Sequence, residues 1–104
     1  MNNTNKIAYA ITYSKTGTLK YISHLDLIAV FDKALRRTRW PLYYTQGFNR
    51  KVKMSFPKAY PLGVEVTNEE MTVYLTEPRE PEVMGEQLGA TVPKGLVIHH
   101  VEKK

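Results

Sequence analysis

Residues 21–38 read YISHLDLIAVFDKALRRT, and how this stretch folds decides how the rest of the chain must be arranged. Ser23 can act as an N-cap, its oxygen accepting an amide hydrogen bond. Asp26, three residues on, is an acidic version of the capping-box partner and suits the positive end of a helix. Leu27, Ile28, Phe31, Ala34 and Leu35 recur at steps of three and four and form an apolar stripe, with Asp26, Lys33, Arg36 and Arg37 on or near the wet side. Arg36, Arg37 and Arg39 favour the negative pole of the dipole, and Pro41 ends the pattern. The spacing predicts a helix over residues 24–38. His24 and Asp26 stand two apart and do not share a helix face, so they form no dyad by spacing alone.

Working outward, residues 7–13 (IAYAITY) set Ile7, Tyr9, Ile11 and Tyr13 against Ala8, Ala10 and Thr12, the period of a strand. We expect the small face to lie under a helix and the aromatic face to be open. Gly17 then allows a turn at positive φ. After the helix, residues 42–45 and 52–56 read as one strand in two pieces, separated by a turn or wide bulge at 46–51. A Pro- and Gly-rich loop follows, with a short extended piece at 64–66. MTVYLTE (71–77) is the next strand, with Met71, Val73 and Leu75 on one face. Pro81 opens a weak helix whose apolar side is Val83, Met84 and Leu88, and GLVIHHVEK (95–103) closes with a strand. The order strand, helix, strand, strand, helix, strand is that of an α+β fold, the ferredoxin-like split βαβ sandwich. In it a four-stranded antiparallel sheet carries two helices on one face.

At 104 residues the chain is expected to be one domain, 1–104, with residues 1–6 and 103–104 frayed. With 42% hydrophobic and 24% charged residues the composition is that of a folded chain. No membrane-span or signal-peptide pattern is legible, and the expected location is cytoplasmic. The chain has no cysteine, which removes disulfides, thiolate nucleophiles and cysteine-held clusters from its own chemistry. Its charge is uneven. Residues 1–58 carry eleven Lys and Arg against two Asp, a balance of +9, whereas residues 59–104 carry four against eight Glu, a balance of −4. A basic half of that strength fits an anionic partner such as RNA.

The loop QGFNRKVK (46–53) concentrates binding chemistry. Gly47 permits a tight backbone, Asn49 tolerates left-handed geometry, Phe48 can stack, Gln46 and Asn49 amides can read base edges, and Arg50, Lys51 and Lys53 are cationic. Trp40, Tyr43 and Tyr44 could extend a stacking surface, although such rings are more often core. No phosphate loop of the GxxxxGK[ST] type is present. His99 and His100 fall in the last strand and, by simple alternation, point to opposite faces; with His24 they offer no metal-ligand spacing.

The phrases YSKTGTLKYISHLDLIAVFDKALRRT (13–38), PLYYTQGFNRKVKMSF (41–56) and YPLGVEV (60–66), in this order and spacing, resemble the radical-SAM-linked domain family of bacteria. Matched polar or backbone positions are Ser23, His24, Asp26, Gln46, Gly47, Asn49, Lys53 and Ser55. After the glycine the family phrase runs Gly-Phe-Asn-Pro-His-Pro-Lys, whereas Gly47 and Phe48 are here followed by Asn49, Arg50, Lys51, Val52 and Lys53, without the two prolines and the histidine. The resemblance implies a radical SAM protein as partner, fused or encoded beside it, often near a ribonuclease of the E/G kind. The partner would carry the iron–sulfur cluster and S-adenosylmethionine, with no cofactor in this chain.

Three readings follow. The first is an accessory RNA-binding domain that presents tRNA or rRNA to a radical SAM modifying enzyme, contacting it through Lys20, His24, Arg36, Arg37, Gln46, Gly47, Phe48, Asn49, Arg50, Lys51, Lys53 and Ser55. The second is an adaptor whose basic face docks the radical SAM protein without touching RNA. The third, ranked last, is an RNA-cleaving or RNA-modifying enzyme with His24 as acid or base, since histidine titrates near neutrality.

Overall fold

β1 (Ile7–Lys15) runs through the middle of the molecule, paired antiparallel with β3 (Val66–Leu75) on one side and β4 (Leu96–Lys103) on the other. A two-residue β2 (Met54–Ser55) pairs with β3 and completes a sheet of order β2-β3-β1-β4. The helices α1 (His24–Thr38) and α2 (Pro81–Thr91) pack against this sheet. The computed structural model describes residues 5–59 and 63–104. It has the ferredoxin-like α+β arrangement expected from the element order. The first part of the YPLGVEV phrase, 60–62, and residues 1–4 of the expected frayed start lie outside the described residues.

α1 spans the residues its spacing predicts. Ser23 Oγ accepts the amide hydrogen of Asp26 at 3.0 Å, and Leu27, Phe31, Ala34 and Leu35 are buried. Ile28 departs from the expected stripe: it is half-buried and turns toward a groove described below. The helix ends on Arg39 in the left-handed region (φ 63°). Trp40 is buried just beyond, and its indole N–H donates to Gln87 Oε1 of α2 at 2.8 Å.

The faces of β1 are the reverse of expectation. Tyr9, Ile11 and Tyr13 are buried against the helices, and Ala8, Ala10 and Thr12 take the open side, across from Tyr74, Thr72 and Glu70. The large face removes far more apolar area from water, so it goes inside. Tyr13 meets Phe31 edge-to-face at 5.2 Å between centroids, and Tyr9 Oη both donates to Arg79 O and accepts from Arg79 N–H, fixing the entry to α2. On α2, Met84 and Leu88 are buried as expected, but Val83 is exposed.

Two irregularities reshape the sheet. β3 begins at Val66, so it absorbs the end of the expected 64–66 piece, and it carries Asn68 at positive φ (51°). In β4 the register with β1 shifts between His100 and Ile98, leaving His99 as the extra residue. His99 Nε2 and Ser14 Oγ are hydrogen-bonded at 2.6 Å, while His100 pairs with Thr12, two residues from Ser14 on the same face. Both histidines therefore lie on the open side, not on opposite faces. The ladder also continues through residues 103 and 104, which the sequence marks for fraying: the Lys104 amide donates to Ala8 O at 3.0 Å, and Lys104 Nζ reaches Thr72 Oγ1 at 2.8 Å.

The inward burial of this face has a measurable consequence. Phe31→Ala is expected to cost about 3–5 kcal/mol, whereas Leu25→Ala on the exposed side of the same helix should stay within about 0.5 kcal/mol. Urea unfolding of the two variants checks the assignment of faces.

Candidate functional site

The strand in two pieces is a lateral hairpin. Tyr43 N–H donates to Tyr74 O at 2.9 Å and Leu42 bridges Leu75, so the first piece sits on the edge of β3. The chain then leaves the sheet. Thr45 N–H donates to Lys51 O at 2.8 Å, Tyr44 bridges Val52, and Lys53 N–H donates to Tyr43 O at 2.9 Å as the second piece returns to β2. Residues 46–50 form the tip, which turns at Gly47 (φ 121°). Asn49, which tolerates left-handed geometry, does not adopt it here, and Gly47 supplies the positive φ.

Asp32 holds this hairpin against α1, a role that sequence reasoning missed. Its Oδ2 accepts the Val52 amide at 3.0 Å, and its Oδ1 accepts Arg36 Nε one turn along the helix. Arg36 Nη2 in turn donates to Arg50 O at 2.9 Å. The Tyr44 ring receives two guanidinium groups, Arg36 at 5.2 Å and Arg50 at 5.3 Å from its centroid. The hydrogen bond that Arg36 donates to the Asp32 carboxylate raises the already high pKa of Arg36, so this cation is permanent. The pattern of α1 places Asp32 off the core stripe, but its partner Val52 is twenty residues away, and nothing local in the sequence announces that pairing.

Between α1 and the hairpin tip lies a groove of about 660 Å³. Leu25, Ile28 and Ala29 give it an apolar floor, and Lys33, Arg36, Arg50 and Lys51 surround it with charge, together with Asp32 and Asn49. Phe48 stands at its edge fully exposed, and Leu25 is 78% exposed. Spacings of three and one from Leu25 to Arg36 put these helix residues on one side, opposite the buried stripe.

The remaining residues singled out in the sequence are distributed around this site. His24 does not line the groove. Its ring lies 5.0 Å from that of Phe56, edge-on, and Phe56 packs in turn against Phe31 and Tyr13 at 5.9 and 6.4 Å. The groove is lined by Phe48 and Asn49 of the loop and not by His24. Lys20 lies in a short 3-10 turn, Gly17–Tyr21, with its ammonium over the Tyr21 ring at 5.3 Å. Arg37 turns to the other side of α1, toward Ala90 and Thr91 at the end of α2. Gln46 and Gly47 occupy the exposed tip. Ser55 pairs with Thr72 on the open side of the sheet, and Lys53 is half-buried beside Tyr43.

The open sheet face is not the aromatic face of β1 that the sequence leads one to expect. Its centre is Ala8, Ala10, Thr12 and Ser14, flanked by Glu70, Glu102 and the two histidines. Tyr43 and Tyr74 remain near it, both under Lys6 at 5.6 and 4.9 Å. Among the described residues no three His, Asp or Glu side chains are placed to hold a metal ion, and no helix is long and apolar enough to cross a membrane.

A family model described as an uncharacterized protein conserved in bacteria, DUF2344, matches residues 8–104. No curated protein and no solved structure gives a significant match.

Removing the carboxylate at position 32 would leave the amide of the buried Val52 without its acceptor. Asp32→Ala is expected to destabilise the protein by about 1–3 kcal/mol and to speed tryptic cleavage after Arg50 and Lys51. Limited proteolysis with mass spectrometry checks this, and cleavage at the parental rate would count against the role given to Asp32.

Proposed function

Since the chain belongs to DUF2344, a family of bacterial proteins associated with radical SAM enzymes, we propose that it is a noncatalytic accessory domain that docks a radical SAM protein in the cytoplasm. The contact is made through the groove between α1 and the hairpin tip. The observation that carries this reading is the composition of that groove, an apolar floor bordered by four cations, whose one carboxylate is already engaged at both oxygens. Such a surface favours a partner that brings apolar side chains and negative charge together. With no cysteine here, the iron–sulfur cluster and S-adenosylmethionine belong to the partner.

Direct contact with tRNA or rRNA is the second reading, favoured by one observation. The fully exposed Phe48 ring stands beside Arg50 and Lys51, where a base could stack while the cations meet phosphate. The sheet face lends this reading little, because Tyr9 and Tyr13 are turned inward. A catalytic role for His24 draws no support from its surroundings, which are the edge of an aromatic cluster.

The two readings separate in one experiment. The purified chain and the radical SAM protein of the same bacterium, mixed after nuclease treatment, should co-elute, and Arg50→Glu with Lys51→Glu should weaken the complex about tenfold or more. Loss of the complex on nuclease treatment, with RNA binding that falls steeply with salt, would replace docking by RNA contact.

A further inference from the structure

Along residues 50–52 the hairpin wall of the groove has its backbone groups largely engaged. Arg50 O is taken by Arg36 Nη2, the Lys51 N–H by Thr45 Oγ1 at 3.1 Å, Lys51 O by the Thr45 N–H, and the Val52 N–H by Asp32. The opposite wall is α1, whose backbone is bonded within itself. An extended peptide laid along residues 50–52 would find little backbone ladder for its own N–H and C=O groups, and burying them unpaired is costly. A helix brings those bonds already made.

Resting on the docking reading above, we infer that the occupant of this groove is an acidic amphipathic α-helix of the radical SAM partner. From Leu25 to Arg36 the groove wall is about 16 Å long at 1.5 Å per residue, which matches roughly three turns of a docked helix. Apolar side chains of the occupant at i, i+3 or i+4, and i+7 cover Leu25, Ile28 and Phe48. Acidic residues flanking that stripe meet Lys33 and Arg36 on one wall and Arg50 and Lys51 on the other. Asp32 does not repel them, because its oxygens are bonded to Arg36 and Val52. The cations anchored on Tyr44 are held in place before binding.

The experiment places p-benzoylphenylalanine at position 48 of the full chain, cross-links it to the purified radical SAM protein, and reads the linked segment by mass spectrometry. The inference expects a segment with acidic residues flanking apolar positions at helical spacing. A cross-link to a basic or strand-forming segment, or to RNA, overturns it. Should no complex form, the docking reading fails by itself, and the groove is tested with an 18-residue model helix of Leu and Glu in amphipathic order. Saturable binding by fluorescence anisotropy, weakened about tenfold by Phe48→Ala and by scrambling the peptide at fixed composition, upholds the helix preference. Equal binding of the scrambled peptide, or none of either, overturns it. Phe48 is fully exposed, so its replacement leaves the fold intact and the comparison sound.

Discussion

The edge-to-face contact of Tyr13 with Phe31, 5.2 Å between ring centroids, settles which side of the sheet is inside. Among the described residues β1 is the only strand with long neighbours on both sides, so the face it buries becomes the face buried by β3 and β4. Met71, Val73 and Leu75 follow Ile11, Tyr9 and Ile7 inward by register, and Val101 follows Ile11. Phe56 and His24 then close the end of the same cluster. Reversing that one choice would expose three strands' worth of apolar side chains at once.

α1 is consequently asked to do two things. Its buried stripe belongs to the core, and its opposite face is left bare except where the hairpin leans on it. The detour of residues 46–50 out of the sheet shortens β2 to two residues, and Asp32 and Arg36 fasten the displaced tip to the helix. The apolar floor of the groove survives because the hairpin stands beside it and not over it. Binding chemistry and fold stability thus meet in a single carboxylate whose two oxygens serve different masters, one the helix and one the hairpin.

Much of this was legible in the chain. The limits of α1, the Ser23 cap and the glycine turns rest on local chemistry, which the sequence states directly; the expected strand over 42–56 is instead a hairpin whose arms pair with each other. The face of β1 was not, because a period of two tells which residues share a side and is silent on which side is covered; that depends on α1 and α2. The single extra residue at His99 overturned a simple alternation, since a bulge is a property of two strands paired and not of one. For the site, the loop and Arg36 were legible as cationic and exposed. Asp32 was not, because its value lies in a bond to Val52, and the contact of His24 with Phe56 likewise depends on tertiary packing.

The position of β1 also has a consequence in time. Of the sheet's four strands it is synthesised before the other three, yet its partners arrive late: Ile11 pairs with Met71 and then with Val101, sixty and ninety residues further on. On the ribosome the nascent strand's Tyr9, Ile11 and Tyr13 have α1 and Phe56 to lie against before β3 is made, and the sheet closes only when β4 emerges. Contacts so distant in sequence are slow to form. Phe31 of α1 is a native contact of this strand that lies near in sequence, eighteen residues from Tyr13, and apolar strands left uncovered are prone to association.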